Sequence, residues 1–308
     1  MKFGWSSSSA QHGQNHNTIN FSSYSNSQLI DQFNSNNWNS LSADNRIGLV
    51  QEMENRTALE QGREPAMVVS SDRPGSYGSY NSLSNQMSIN VNSFSSYETL
   101  DTFYHESNHA YQAHCVEKGI GYDQHTLDMM AVETARDQNG NLYNYAQQNP
   151  FYDMQCNELD SNTKAAQSML GHAESFKSDP AYQDYIADRN EHFTEVNNTL
   201  DNHADMRTSM QNDQTYTSYV RGDIDQQQYD SLSNNINNES FVDQTVQESH
   251  DVGAQISDLH SELSVEYGND ITSDNSLEAT NDSEGVSADY GNDGNGQDND
   301  TGASMDLD

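Results

Sequence analysis

Cysteines, basic side chains and long apolar runs are all scarce in this chain. Two cysteines among 308 residues, Cys115 and Cys156, are too few for a disulfide framework, and their spacing makes no metal-binding pair. Both are expected to be small buried residues. Lys and Arg together number 12 against 48 Asp and Glu, a formal charge of −36. That balance argues against a nucleic-acid partner, whose phosphates would be repelled, and against an anionic membrane surface. No apolar run approaches the ~20 residues of a membrane span. The start, Met1-Lys2-Phe3-Gly4-Trp5 followed by four serines, lacks the apolar stretch of a secretory signal. The expectation is a cytoplasmic protein. Only four of the basic residues are lysines, which would also suit a salt-tolerant or non-classically exported protein.

Hydrophobic residues make up 32% of the chain, and the 18 glycines raise this to about 38%, below the ~45–50% apolar share, glycine included, usual in globular domains. A modest core flanked by disordered arms is expected. Residues 1–27 are rich in Ser, Asn and Gln and read as a disordered arm, with order beginning near Leu29 and more firmly at Ser40. Residues 46–62 have apolar positions near helical spacing and end at a glycine. Residues 65–70, 77–81 and 86–92 read as strands. In the third, Met87, Ile89 and Val91 alternate with Ser88, Asn90 and Asn92. Helical segments are expected at 124–136, 141–148 and 151–176, with weaker amphipathic stretches over 178–266. The last basic residue is Arg221, and residues 267–308 hold nine Asp, two Glu and no positive charge. They read as a disordered acidic tail. The resulting division is a polar arm over 1–40, a compact domain over 41–177, a helical region over 178–266 and the tail.

The chemistry concentrates in Tyr104-His105-Glu106-Ser107-Asn108-His109-Ala110-Tyr111-Gln112. This is an H-E-x-x-H motif in a stretch patterned as a helix, expected to start near Ser95-Ser96 with Glu98 as capping-box partner and to close at Gly119 and Gly121. At about 100° per residue, two histidines four apart share one helix face and can share one Zn²⁺. Glu106 can then take a proton from a metal-bound water. Zinc-assisted hydrolysis, most often of a peptide bond, is the chemistry this spacing serves.

Catalytic zinc takes three protein ligands and keeps an open position. His114, five residues beyond His109, is rotated by about 140° from the shared face. The longer metzincin motif fails, because Gln112 and Cys115 stand where its glycine and third histidine belong. A downstream glutamate is the remaining route. Glu133, 24 residues beyond His109, is one candidate, although Arg136 one turn on could simply pair with it. Glu158, 49 residues beyond His109, is the preferred one. Its surroundings, Asn157-Glu158-Leu159-Asp160-Ser161-Asn162, resemble the N-E-x-x-S-D segment of thermolysin-like peptidases. Asp160 or Asn162 could hydrogen-bond a ligating histidine on its far nitrogen. His125 or Tyr152 could stabilise an oxyanion, although a packed or surface role is the commoner use of each. His12 and His16 lie in the polar arm with no helix to align them.

Over residues 41–175 the chain is similar to a group of small bacterial metallopeptidase domains of uncharacterised substrate. Leu100-Asp101-Thr102 through His109-Ala110-Tyr111-Gln112 follows their pattern LDT-x-x-HE-x-x-HAYQ. Residues 152–161 follow Y-x-x-Q-x-x-E-x-D-[AS], without the proline often found before the glutamate. The resemblance implies His105, His109 and Glu158 as zinc ligands and Glu106 as catalytic base. It also implies an α+β zincin-like fold, with a small sheet before the motif helix and a mostly helical second half. In such peptidases a polar edge strand pairs with extended substrate, and residues 86–92 are the strand expected to do so. The expectation is therefore a zinc metallopeptidase acting on a peptide or protein. The alternatives are an acidic structural or interaction protein without catalysis, or an exported effector using the same site.

Overall fold

The computed structural model describes residues 18–146, 150–238 and 240–268. His12, His16 and nearly all of the expected acidic tail lie outside them. The described chain is a mixed α+β structure dominated by helices, with one three-stranded sheet. No described helix is long and apolar enough to cross a membrane.

Order begins earlier than the polarity of the first forty residues suggests. A 3-10 turn at Phe21–Ser23 leads into α1 (Asn26–Asp31) and α2 (Ser35–Ser40). Ser25 caps α1 in a full capping box with Gln28. Phe21, Leu29, Ile30, Phe33 and Trp38 from this segment are buried in the main core. The expected arm over 1–40 is thus corrected for its described part. A few large apolar side chains, scattered at irregular intervals among Ser and Asn, are enough to anchor it. α3 (Ala43–Glu60) follows, capped by Ser42.

The sheet comprises β1 (Met67–Ser70), β2 (Gly78–Asn81) and β3 (Gln86–Ile89) in the order β1-β3-β2. β1 runs parallel to β3, and β2 runs antiparallel to it with Gly78 opposite Ile89. Met87, Ile89 and Val91 are buried, as their alternation predicts. The edge assignment does not hold: β3 is central, and β2 is an edge strand. The polar positions of β3 report a face rather than an edge, since Gln86 and Ser88 line a cleft.

α4 (Ser96–Lys118) carries the motif. Ser95 and Glu98 form its capping box, and Gly119 ends it in the left-handed conformation at φ 66°. Such a φ suits a residue without Cβ. α5 (Gln124–Glu133) and α6 (Cys156–Gly171) follow, and the short α7 (Ala173–Phe176) extends α6. The helix expected at 141–148 does not form in its described part, where Leu142 instead bridges Arg136.

α8 (Pro180–Asn202), α9 (Ala204–Arg221), α10 (Gln226–Ile236) and α11 (Gln244–Gly268) complete the chain. The region 178–266 is no appendage. Tyr182, Tyr185, Ile186 and Leu263 join the same core as the sheet and α4, and α11 packs on α6 and α8. Asp179 ties three distant segments together. Its side chain caps α8, accepts the Tyr97 hydroxyl at 2.8 Å and accepts the Ser35 amide at 2.9 Å.

If residues 20–40 belong to the core, Phe33→Ala should cost about 3–5 kcal/mol, the usual range for emptying a buried phenylalanine site. Urea unfolding measures this, and a loss below about 1 kcal/mol would show that the segment is peripheral.

Candidate active site

α4 presents His105 and His109 one turn apart, with ring centroids 4.6 Å apart and planes near perpendicular at 83°. Their Nε2 atoms are 3.0 Å apart. α6 brings Glu158 against both: Oε2 lies 3.4 Å from His105 Nε2, and Oε1 lies 3.3 Å from His109 Nε2. The Glu158 side chain is 1% exposed, against 13% and 16% for the two histidines. The three residues expected as ligands therefore converge. No other His, Cys, Asp or Glu joins this group among the described residues.

The geometry fits a zinc ion. Bonds of 2.0–2.1 Å in a tetrahedron place ligand atoms about 3.3–3.4 Å apart; the nearest approaches here run from 3.0 to 3.4 Å, with a different Glu158 oxygen against each histidine, and one ligand atom from each residue lies within 4.8 Å of the others. Glu158 Oε2 is buried with no hydrogen-bond donor, a costly arrangement that a cation would relieve. Electrostatics agree. Burial alone would lower the pKa of His109, yet the Glu158 carboxylate outweighs it and pushes the imidazole up to about 10. Burial likewise opposes ionisation of Glu158, but the two imidazoles hold its carboxyl well below the usual range. The site draws positive charge.

The neighbours fix these side chains. His109 Nδ1 lies 2.9 Å from Gln112 Oε1 and 3.1 Å from Ser161 Oγ. Gln112 Nε2 donates in turn to Asn157 O and to Asp160 Oδ2. Asp160 also accepts from Asn108 and Tyr122. Asp160 therefore does not bond a histidine directly, as the sequence suggests; it anchors Gln112, which does. The two middle residues of the motif lock α4 from opposite sides. Asn108 reaches Asp160 and Ser161 on α6. Ser107 donates to Glu54 of α3, and Arg63 donates to Glu54 and to Ser107.

Glu133 has a different task from the one weighed for it. Its carboxylate accepts the amides of Cys156 and Asn157 at 2.8 and 3.0 Å, capping the first turn of the helix that carries Glu158. Burial raises its pKa to about 7. Cys115 and Cys156 are free and buried, and His114 is not part of the cluster. His125 packs edge-on against Phe241, whereas Tyr152 lines the cleft beside His105 and Glu106. One participant had no sequence signal. Tyr145, in the loop before α6, donates its hydroxyl to Glu158 Oε1 and packs on Tyr152.

Glu106 sits where two recesses meet. One is shared with His105 and Tyr152, and the other with His109, Tyr145 and Glu158. β2 roofs this junction closely. A Cβ on Gly78 would lie 2.6 Å from the Thr102 methyl and 3.2 Å from Glu106 Cγ, so only glycine lets the strand approach.

No family model, curated protein or solved structure matches the chain.

Two outcomes follow for metal uptake. Zinc takes neutral imidazole, so below pH 10 its binding must displace the His109 proton, and affinity should tighten about tenfold per pH unit for each proton released. Calorimetry in buffers of different ionisation enthalpy reads that proton directly. Gln112→Ala should weaken zinc binding by about 10–100-fold, the usual effect of removing a ligand's hydrogen-bond partner; unchanged affinity would deny Gln112 an orienting role.

Proposed function

We propose that this chain is a zinc metallopeptidase of zincin-like architecture. The observation that carries the reading is the approach of His105, His109 and Glu158 to within 3.0–3.4 Å of one another beside Glu106. Structural zinc sites are normally closed by four protein ligands, whereas catalytic sites keep three and an open position. Three protein ligands facing a cleft favour the catalytic kind.

Zinc held there supplies Lewis acidity, lowering the pKa of water toward ~7 and polarising a substrate carbonyl. Glu106, 3% exposed and at the junction of the two recesses, is placed to accept a proton from the attacking water and to pass it to the leaving amine. The low exposure strengthens each charge interaction in the site. β2 offers a backbone edge along which an extended peptide can add as a further strand. Gly78 brings that edge down onto Glu106, setting the distance between the bound backbone and the base. Tyr152, which lines the recess beside His105 and Glu106, is the side chain placed to steady a developing oxyanion, whereas the Tyr145 hydroxyl is held by Glu158.

Glu106→Gln should retain a single equivalent of zinc while losing peptide hydrolysis by at least about 10²-fold. Glu158→Ala should lose the metal. Elemental analysis paired with a peptide-library assay reads both, and a Glu106→Gln variant that cleaves at the parent rate would rule out the mechanism. Parent protein that takes up no zinc would instead favour a non-catalytic acidic module.

A further inference from the structure

The two oxygens of Glu158 have different surroundings. Oε2 is buried with no hydrogen-bond donor and lies 3.4 Å from His105 Nε2. Oε1 accepts the Tyr145 hydroxyl, and a longer contact from the Asn157 side-chain amide reaches the same oxygen at 3.5 Å. A carboxylate can meet a cation through one oxygen or through both. The two cases leave different room on the ion, because a second oxygen takes coordination space that a catalytic site keeps for water.

The stretch that carries Tyr145 is built to hold it. It is irregular, between α5 and α6, yet both neighbours of the tyrosine are pinned. The buried Gln155 side chain pairs with the Ala146 backbone in both directions: its Oε1 accepts the amide at 2.8 Å, and its Nε2 donates to the carbonyl at 3.1 Å. On the other side, Asn144 Nδ2 donates to Val132 O at 2.9 Å and to Ser218 Oγ at 2.8 Å. The Gln214 side chain donates to Asn144 O at 2.7 Å. Residues of α5, α9 and the start of α6 thus fix the backbone on either side of Tyr145. Its ring packs edge-on against Tyr152, with centroids 5.9 Å apart, and it lines the recess shared by His109 and Glu158. A side chain locked in this way can set the position of another.

We propose that Tyr145 is a positioning residue: by holding Glu158 Oε1 it leaves Oε2 alone to meet the metal, and so keeps the remaining face of the site open for water. The proposal rests on the metal site of the reading above and not on its substrate. In Tyr145→Phe, Oε1 loses its close donor while the ring and its packing stay. A charged oxygen left buried without that donor is costly, and the nearest relief is the cation itself. The carboxylate then turns both oxygens to the ion, and the open position is crowded.

The test replaces zinc by cobalt(II), which suits a similar set of nitrogen and oxygen ligands and absorbs visible light far more strongly when four-coordinate than at higher coordination. Full-length parent protein should take up a single equivalent and show the strong band. Tyr145→Phe should unfold as cooperatively as the parent and still take up a single equivalent, with the band weakened severalfold. A role confined to packing would leave the band as it is. An unchanged or stronger band, or a band already weak in the parent, overturns the assignment. Turnover of the zinc-loaded protein separates this claim from the hydrolase: with both correct, Tyr145→Phe lowers kcat by about 10–100-fold and changes KM little. An unchanged band in a protein that cleaves peptides sinks the role of Tyr145 alone. A weakened band without cleavage of any peptide sinks the hydrolase alone, and a parent that binds no cobalt overturns both.

Discussion

A carboxylate buried between two imidazoles is the constraint on which the rest of this molecule depends. Glu158 is almost wholly withdrawn from water, and one of its oxygens has no hydrogen-bond donor. Such a group is tolerable only with positive charge close by. The surrounding structure holds it in place. Glu133 caps the helix that carries it, Tyr145 donates to its other oxygen, and Asp160, two residues further along the same helix, anchors Gln112 against His109. Ser107 and Asn108 fix the facing helix from two directions. The spacing of the histidines puts them on one face; these buried bonds decide where that face points.

The polarity that makes the chain look poor in core serves the same site. Buried Asn, Gln, Ser and Glu side chains cluster on α4 and α6, and the aromatic core of Tyr97, Phe176, Tyr182 and Tyr185 packs behind them. Polar networks of this kind stabilise a fold only when nearly every member is bonded. One exception is therefore informative: Glu158 Oε2 is buried without a hydrogen-bond donor and faces the histidines.

Much of this was legible in the sequence where local chemistry decides. The limits of α4 follow from Ser95, Glu98 and Gly119, and the strands from alternation and turn residues. Glu158 could be preferred over Glu133 because Asp160 and Ser161 follow it. What failed depends on tertiary context. Strand order is invisible to periodicity, so the polar face of β3 was mistaken for an edge. The N-terminal helices owe their burial to scattered residues such as Phe33 and Trp38, which composition dilutes. Tyr145 carries no motif at all, and only the path of the loop brings it to Glu158. Asp160 is expected to bond a ligating histidine; it instead accepts from Gln112, which contacts His109, a step that helix spacing alone does not show.

The most direct test of the central claim is X-ray absorption at the zinc edge of the metal-loaded protein. The account predicts nitrogen and oxygen neighbours at about 2.0–2.1 Å with the outer-shell scattering of two imidazoles, lost when Glu158 and the histidines are replaced. Sulfur scatterers at about 2.3 Å, or a shell without imidazole, would place the ion elsewhere and contradict it.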